Sequence, residues 1–278
     1  MTTQPIIIGV VSRLIPWREA GINICGEAVT TFQRLQAVGP YVVPMLLPLT
    51  DDKERIKLEL SMVHGLWFPG GDDPNSMYWH QGPDPFPSHN PGPGVLDSDN
   101  FERMRLARRL RLPILASCRG MEVLNSALGG TLCPILDYPG RHHPHQHHDY
   151  VMPHEWKDLR HGIEIEEDST FHSIVSQDPE FGRWEPQYDG QRKPFGGQIM
   201  VNSMHRFCCA TVGDGLRVAA RAPDGIIEVI ESAESEWFAI GCQFHPELHN
   251  DGHGKQVFQH LFAELVGQAQ RYRDTRTR

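Results

Sequence analysis

The sequence predicts an α/β protein: a parallel sheet covered by helices on both faces. Three observations carry that expectation. Apolar runs of strand length (IIIGVV, YVVPMLLPL, GLWF) alternate with segments of helical spacing, and strand–helix–strand alternation builds parallel sheets. Two runs, GLWFPGG and PILASC, stop abruptly at glycines or at a cysteine, which suits strand ends that face a binding cleft. At 278 residues the chain is long enough for a substantial core, in one large domain or two small ones, and it contains no internal repeat and no convincing linker.

The elements follow in order. Residues 6–11 read as a buried first strand. EAVTTFQRLQAVG, around residues 26–38, has helical spacing, and YVVPMLLPL is the second strand. Residues 51–62 form a helix beginning at an acidic cap, and GLWFPGG is a third strand. Residues 72–94, dense in Pro, Gly, Asp and aromatic residues, predict a long irregular loop, a feature that is uncommon inside compact domains and often functional. A helix is expected from Ser98 or Asp99 through FERMRLARRL, then a strand over 113–117, Cys118, and a helix ending at Gly129 and Gly130. RHHPHQHHDY, residues 141–150, is polar. GIEIEE is a strand, STFHSIVSQ a short helix, and residues 197–201 lead into MHRFCCATVG. LRVAARAPDG, IIEVIE and WFAIGCQFHPE are three strands, the first two joined by a Pro-Asp-Gly turn. The last helix, residues 254–271, is expected to pack back on the sheet.

Bulk properties narrow the function classes. The net charge of −9 argues against nucleic acid as the main partner, because binding its backbone needs a basic face. No apolar stretch approaches the roughly 20 residues that span a bilayer. The N-terminal apolar run has no basic residues before it and is too short for a signal peptide, so a cytoplasmic protein without a membrane partner is expected. The six cysteines are irregularly spaced, with no CxxC pair, and read as free thiols rather than a disulfide frame or zinc site.

The chemistry concentrates at three strand ends. Cys118 stands at a sharp strand-to-helix turn flanked by small residues, Ala116-Ser117-Cys118-Arg119-Gly120, like the elbow that lifts a nucleophile into a cleft. A helix N-terminus also stabilises a thiolate. A buried structural cysteine is the alternative on these residues alone. A nucleophile needs a base, and the base an orienter. His245 follows the strand WFAIGC, and Glu247 stands two positions on, across a proline. Gly70 and Gly71, after GLWFP, would present backbone N–H donors to an oxyanion.

Taken together and in this order, PGGDDPNSMYW (69–79), ILASCRGMEVLNSALGGTL (114–132), VNSMH (201–205), APDGIIEVIE (222–231) and QFHPE (243–247) resemble the class I glutamine amidotransferase-like superfamily. In particular the chain is similar to the γ-glutamyl-γ-aminobutyrate hydrolase family of cysteine peptidases. The resemblance implies a three-layer, flavodoxin-like sandwich with a mostly parallel central sheet, forming a single hydrolase domain over residues 1–278. It implies Cys118 as nucleophile, His245 as general base and then acid, Glu247 as its orienter, and the N–H groups of Gly71 and Arg119 as the oxyanion hole. Gly70, Asp73, Glu122, Ser203 and His205 would contact the substrate. That substrate would be a γ-glutamylated small amine, of the γ-aminobutyrate or polyamine type. The resemblance implies no metal or organic cofactor, and since relatives of this shape are often dimers it leaves a homodimer open.

Three departures bear on the substrate. Glu122 and Phe207 stand where the family usually has glutamine, and the segment 141–150 is unusually rich in histidine. An ionised Glu122 would only accept hydrogen bonds. With Asp72 and Asp73 it would favour a cationic or N–H-rich leaving amine, unless it faces solvent or pairs with Arg119. His205 reads either as a pocket residue or as a core histidine. His142, His143, His145, His147 and His148 read as a solvated loop, with metal binding the less favoured reading. Two other functions stay open: a glutaminase subunit feeding ammonia to a synthase, and a non-catalytic module binding through its histidine loop.

Overall fold

A computed structural model of the protein describes residues 4–17, 19–79, 94–135, 161–179, 181–182, 199–248 and 258–276. The histidine-rich stretch 141–150, most of the expected loop 72–94 and the expected start of the last helix lie outside the described residues.

The chain begins with strand β1 (Ile6–Val11), the hairpin β2 (Arg13–Trp17) and β3 (Ile22–Gly26), helix α1 (Val29–Gln36) and β4 (Val42–Leu47). Helix α2 (Lys53–Met62), β5 (Gly65–Phe68), a single 3₁₀ turn (Ser76–Tyr78), α3 (Val95–Leu110), β6 (Ile114–Ser117) and α4 (Arg119–Ala127) follow. The remainder is β7 (Thr131–Pro134), β8 (His161–Ile165), α5 (Thr170–Val175), β9 (Ile199–Val201), β10 (Phe207–Thr211), β11 (Leu216–Arg221), β12 (Ile227–Ser232), β13 (Ala239–Cys242) and α6 (Gln259–Arg276).

Nine strands make one sheet in the order β4-β1-β5-β6-β13-β12-β11-β8-β9. The five from β4 to β13 run parallel. The remaining strands extend the sheet in antiparallel fashion from β13. Alternation along the parallel strands divides the core into two layers, because successive side chains leave a strand on opposite faces. Ile6, Ile8, Val10, Trp67 and Leu115 join Leu35 of α1, Phe171 and Ile174 of α5, and Leu261, Phe262 and Leu265 of α6. Leu66, Phe68, Ile114 and Ala116 join Ile56 and Leu60 of α2, Phe101 and Met104 of α3, and Met121, Val123 and Leu124 of α4. The result is the expected three-layer α/β sandwich.

Local chemistry explains several boundaries. Asp52 accepts hydrogen bonds from the N–H groups of Glu54 and Arg55, the acidic cap expected for α2 and worth about 1 kcal/mol. The turn at Ala222–Gly225 joins β11 to β12 with Gly225 at φ 90°. Other boundaries needed tertiary partners. Helix α3 begins at Val95, ahead of the expected Ser98 or Asp99. Asp97 in its first turn is buried, accepting from the Asn75 N–H at 3.1 Å and from Arg119, and these contacts hold the extra turn. Helix α6 runs to Arg276 rather than 271, and Arg273 near its end donates to the Gln4 carbonyl at 2.9 Å. The hairpin β2–β3 was not expected. It pairs Ile15 with Ile24 and Trp17 with Ile22, yet these side chains are largely exposed, so no burial pattern announces it. Strand β10, from MHRFCCATVG, leaves the main sheet and pairs with β7.

Candidate active site

Strands β6 and β13 are level at their carboxyl ends, with Ala116 beside Gly241 and Ser117 beside Cys242. The next residues therefore leave the sheet together, at the edge where parallel sheets place ligand clefts. From β6 the chain turns into α4 through Cys118, at φ 47° and ψ −114°. That conformation is strained for a side-chain-bearing residue, typically by about 1–3 kcal/mol. It is held by the Cys118 N–H donating to the Cys242 carbonyl at 2.7 Å and by the Cys118 carbonyl accepting from the Glu122 N–H at 3.1 Å. The turn also requires a glycine at 120, because a Cβ there would overlap the Phe68 carbonyl.

From β13 the chain runs extended through Gln243 and Phe244 to His245. Asn202, just after β9, clamps His245 by its backbone: its amide Nδ2 donates to the His245 carbonyl at 2.9 Å, and the His245 N–H donates to Asn202 Oδ1 at 2.8 Å. The imidazole Nδ1 lies 2.6 Å from Glu247 Oε1, and the ring hydrogen-bonds the Cys118 thiol. The third strand end sits against them. A Cβ on Gly70 would overlap His245 Cε1 and lie 3.0 Å from Nε2 and 3.3 Å from Cys118 Cβ, so only glycine leaves room for the pair. Gly71 follows at φ 157°, and a Cβ there would lie 3.4 Å from Arg119 Cδ. Gly71 thus packs against the Arg119 side chain, and the Arg119 N–H, first in its helix, lies outside the intrahelical ladder.

The electrostatics follow from burial. Burial pushes the Cys118 thiol up, and His245 draws it back. Burial also works against the His245 imidazolium, but the Glu247 carboxylate and Cys118 outweigh it and hold the ring well above its ordinary value. Arg34 of α1 reaches the same corner, its Nε donating to the Glu247 carbonyl at 3.3 Å.

The remaining expected pocket residues divide. Asp73 is held by Arg206, whose Nε and Nη2 lie 3.0 and 2.8 Å from Oδ2, while Asp72 is exposed. Ser203 is buried beside Asn202. His205 is buried, its Nδ1 2.7 Å from the Phe207 carbonyl and its Nε2 3.6 Å from Glu228 Oε1, which places it against a core carboxylate. Glu122 meets neither of the alternatives given for it. It neither faces solvent nor pairs with Arg119, whose guanidinium binds Asp97 and Asn100. It is fully buried, accepts from Gln243 Nε2 at 3.2 Å, and is pushed up to about 8 by burial and then by Asp73. Burial and Asp73 thus favour its protonated, hydrogen-bond-donating form against the pull of Arg119 and Arg206. Among the described residues no group of three or more His, Cys, Asp or Glu is arranged to hold a metal, and no helix is long and apolar enough to cross a membrane.

Asn202, Arg206, Gln243 and Arg34 were not anticipated. Gln243 had a signal, since it alternates with His245 on an extended segment. Asn202 lies inside VNSMH, but its type alone does not announce a backbone clamp.

Comparison with known proteins sets these residues in context. The chain is 28% identical over 209 residues to the protein NtpR of Enterococcus hirae, covering 74% of this chain and 75% of that one. It is 27% identical over 211 residues to the γ-glutamyl-γ-aminobutyrate hydrolase PuuD of Escherichia coli, covering 75% and 74%. It is 30% identical over 233 residues to a candidate glutamine amidotransferase of Mycobacterium tuberculosis, covering 83% of this chain and 64% of that one. A solved structure from Thermoplasma acidophilum, described as a component of a candidate GMP synthase, superposes with a TM-score of 0.58 at 16% identity and covers 99% of both chains, a likeness of fold. The model of the Peptidase C26 family matches residues 6–247, and the chain, a glutamine amidotransferase-like protein, belongs to that family.

Proposed function

We propose that the protein hydrolyses the γ-glutamyl amide bond of a γ-glutamylated small amine, as a single hydrolase domain over residues 1–278. One observation carries the reading: a buried cysteine in a strained strand-to-helix turn, hydrogen-bonded to a histidine whose other ring nitrogen meets a carboxylate. That is the arrangement of an activated nucleophile. Cys118 Sγ attacks the amide carbonyl as His245 takes the thiol proton. The oxyanion is met by the N–H groups of Gly71 and Arg119. His245 returns the proton to the departing amine, leaving a γ-glutamyl thioester on Cys118. Water, deprotonated by His245, cleaves the thioester to glutamate and restores the thiol. Glu247 keeps the imidazole oriented throughout, and no metal or cofactor enters. The similarity to the γ-glutamyl-γ-aminobutyrate hydrolase supports the acyl group.

A second reading has an observation of its own. A neutral Glu122 donates a hydrogen bond as a glutamine amide does, so free glutamine is not disfavoured, and the protein would then serve as a glutaminase subunit for a synthase. Glutamate release from glutamine, γ-glutamyl-γ-aminobutyrate, γ-glutamyl-putrescine and γ-glutamyl-spermidine, by wild type and Cys118→Ala, separates the two. Hydrolysis of an amide by wild type alone is the expected result. Release from glutamine only, and only with a partner added, would select the second reading.

A further inference from the structure

Strands β7 and β10 form a small sheet apart from the main one. The chain reaches β7 from α4, the helix that follows Cys118, and reaches β10 through Arg206, which holds Asp73. The register sets Cys133 of β7 directly opposite Cys208 of β10. Their sulfur atoms lie 3.3 Å apart, although 75 residues separate them in the chain. Neither thiol has a part in the reaction proposed above.

The backbone suits a bond between them. The Ile135 N–H donates to the Arg206 carbonyl at 2.9 Å, so these two residues are a hydrogen-bonded pair of the ladder. Such pairs recur at every second residue of antiparallel strands, which makes Cys133 and Cys208 the next one, with Cα atoms about 5.5 Å apart. Disulfides favour a separation of about 5.5–6 Å, and only beyond about 7 Å must the backbone move to allow one.

The two thiols are not equivalent. Cys208 is fully buried in a cluster with Ile135, Ala222 and Ile226, while Cys133 is half-buried at the margin of that cluster. The hydrogen bond to Cys133, and then burial, push the Cys208 thiol up, so it keeps its proton. Cys209 points to the other face of β10 and packs in the main core with Leu132 and Phe207. An oxidant arriving from solvent therefore meets Cys133 first.

We propose that Cys133 and Cys208 are a reversible oxidation site, closed to a disulfide by a peroxide and reopened by a small dithiol. Cys133 Sγ attacks one oxygen of hydrogen peroxide and the O–O bond breaks. The departing hydroxide takes the thiol proton and leaves as water, so Cys133 becomes a sulfenic acid. Cys208 Sγ attacks that sulfur and the S–O bond breaks. The second hydroxide takes the Cys208 proton and leaves as water. Two thiols and one peroxide thus give one disulfide and two waters. A dithiol restores both thiols by exchange and is itself oxidised to a disulfide. The bond ties the segment that follows the helix of Cys118 to the segment that carries Arg206.

The test uses the reduced full chain. It is titrated with hydrogen peroxide, blocked with N-ethylmaleimide and digested with trypsin without reductant. Cleavage leaves Cys133 in 120–141 and Cys208 with Cys209 in 207–217. The expected product is these two peptides joined, lighter by two hydrogens than their sum and lost on treatment with dithiothreitol. Cys209→Ser keeps the link. Cys208→Ser loses it, and Cys133 is then recovered as a sulfenic acid trapped by dimedone. Absence of the link at peroxide doses that oxidise Cys25, the exposed thiol on β3, overturns the proposal. Wild type alone decides that point, whether or not the variants fold. A link that survives Cys208→Ser and disappears in Cys209→Ser overturns it too.

Discussion

Two glutamates serve the site around Cys118, and they meet opposite kinds of partner. Glu247 stands 2.6 Å from the His245 ring, with Arg34 donating to its backbone carbonyl. Glu122 is as deeply buried, but its partner is the neutral amide of Gln243 and the largest charge effect on it comes from another acid, Asp73. Burial penalises charge at both places. What differs is the partner each carboxyl meets, and the partner is chosen by which strand end and which helix turn the fold brings alongside. The lesson is that a glutamate's chemistry in a site is a property of its neighbours, not of its type.

Exchanging each acid for its amide breaks the comparison at either end. Glu247→Gln removes the largest support of the imidazolium and leaves Cys118 alone to oppose burial. The His245 titration, followed by NMR of the ring Cε1 proton, should move to lower pH. Amide hydrolysis should fall by about 10⁴-fold, the scale of losing the orienting carboxylate of a triad. A titration that does not move would mean that Glu247 does not govern His245.

Gly70→Ala tests the point where the thiol and the imidazole meet. A Cβ there overlaps the ring, so the imidazole must shift. A displacement of about 1 Å costs on the order of 10²-fold in rate, with little change in thermal stability. Unaltered kinetics would mean that the ring rests elsewhere during reaction.

The smallest effect is one of stability, and it has the opposite sign. Glu122 is raised from 4.5 to about 8 in the folded protein. Between those values the unfolded chain has released the proton that the folded chain keeps, so wild-type stability falls as pH rises through that window. Glu122→Gln has no such loss. Its advantage over wild type should grow from pH 4.5 to about 8 and reach a few kcal/mol, measured by denaturant unfolding. An advantage that stays flat with pH would mean that Glu122 is ionised in the fold.

Much of this was legible beforehand. Alternation of strand-like and helical segments announced the layers, and the abrupt stops at Gly70 and Cys118 announced two of the three strand ends at the site. The parts that were not legible share a cause. The hairpin β2–β3 exposes its apolar residues, so burial leaves no pattern in its sequence. The first turn of α3 is held by Arg119 and Asn75, neither of which is its neighbour in the chain.

The sequence by itself determined the parallel sheet and the residue types at its carboxyl edge, because periodicity and turn chemistry act over a few residues. Only the tertiary structure decided that Asn202 clamps His245, that Arg206 takes Asp73, and that Glu122 meets an amide instead of a guanidinium. Those outcomes depend on which groups long-range packing brings within hydrogen-bond reach, and desolvation then sets the charge that each group carries.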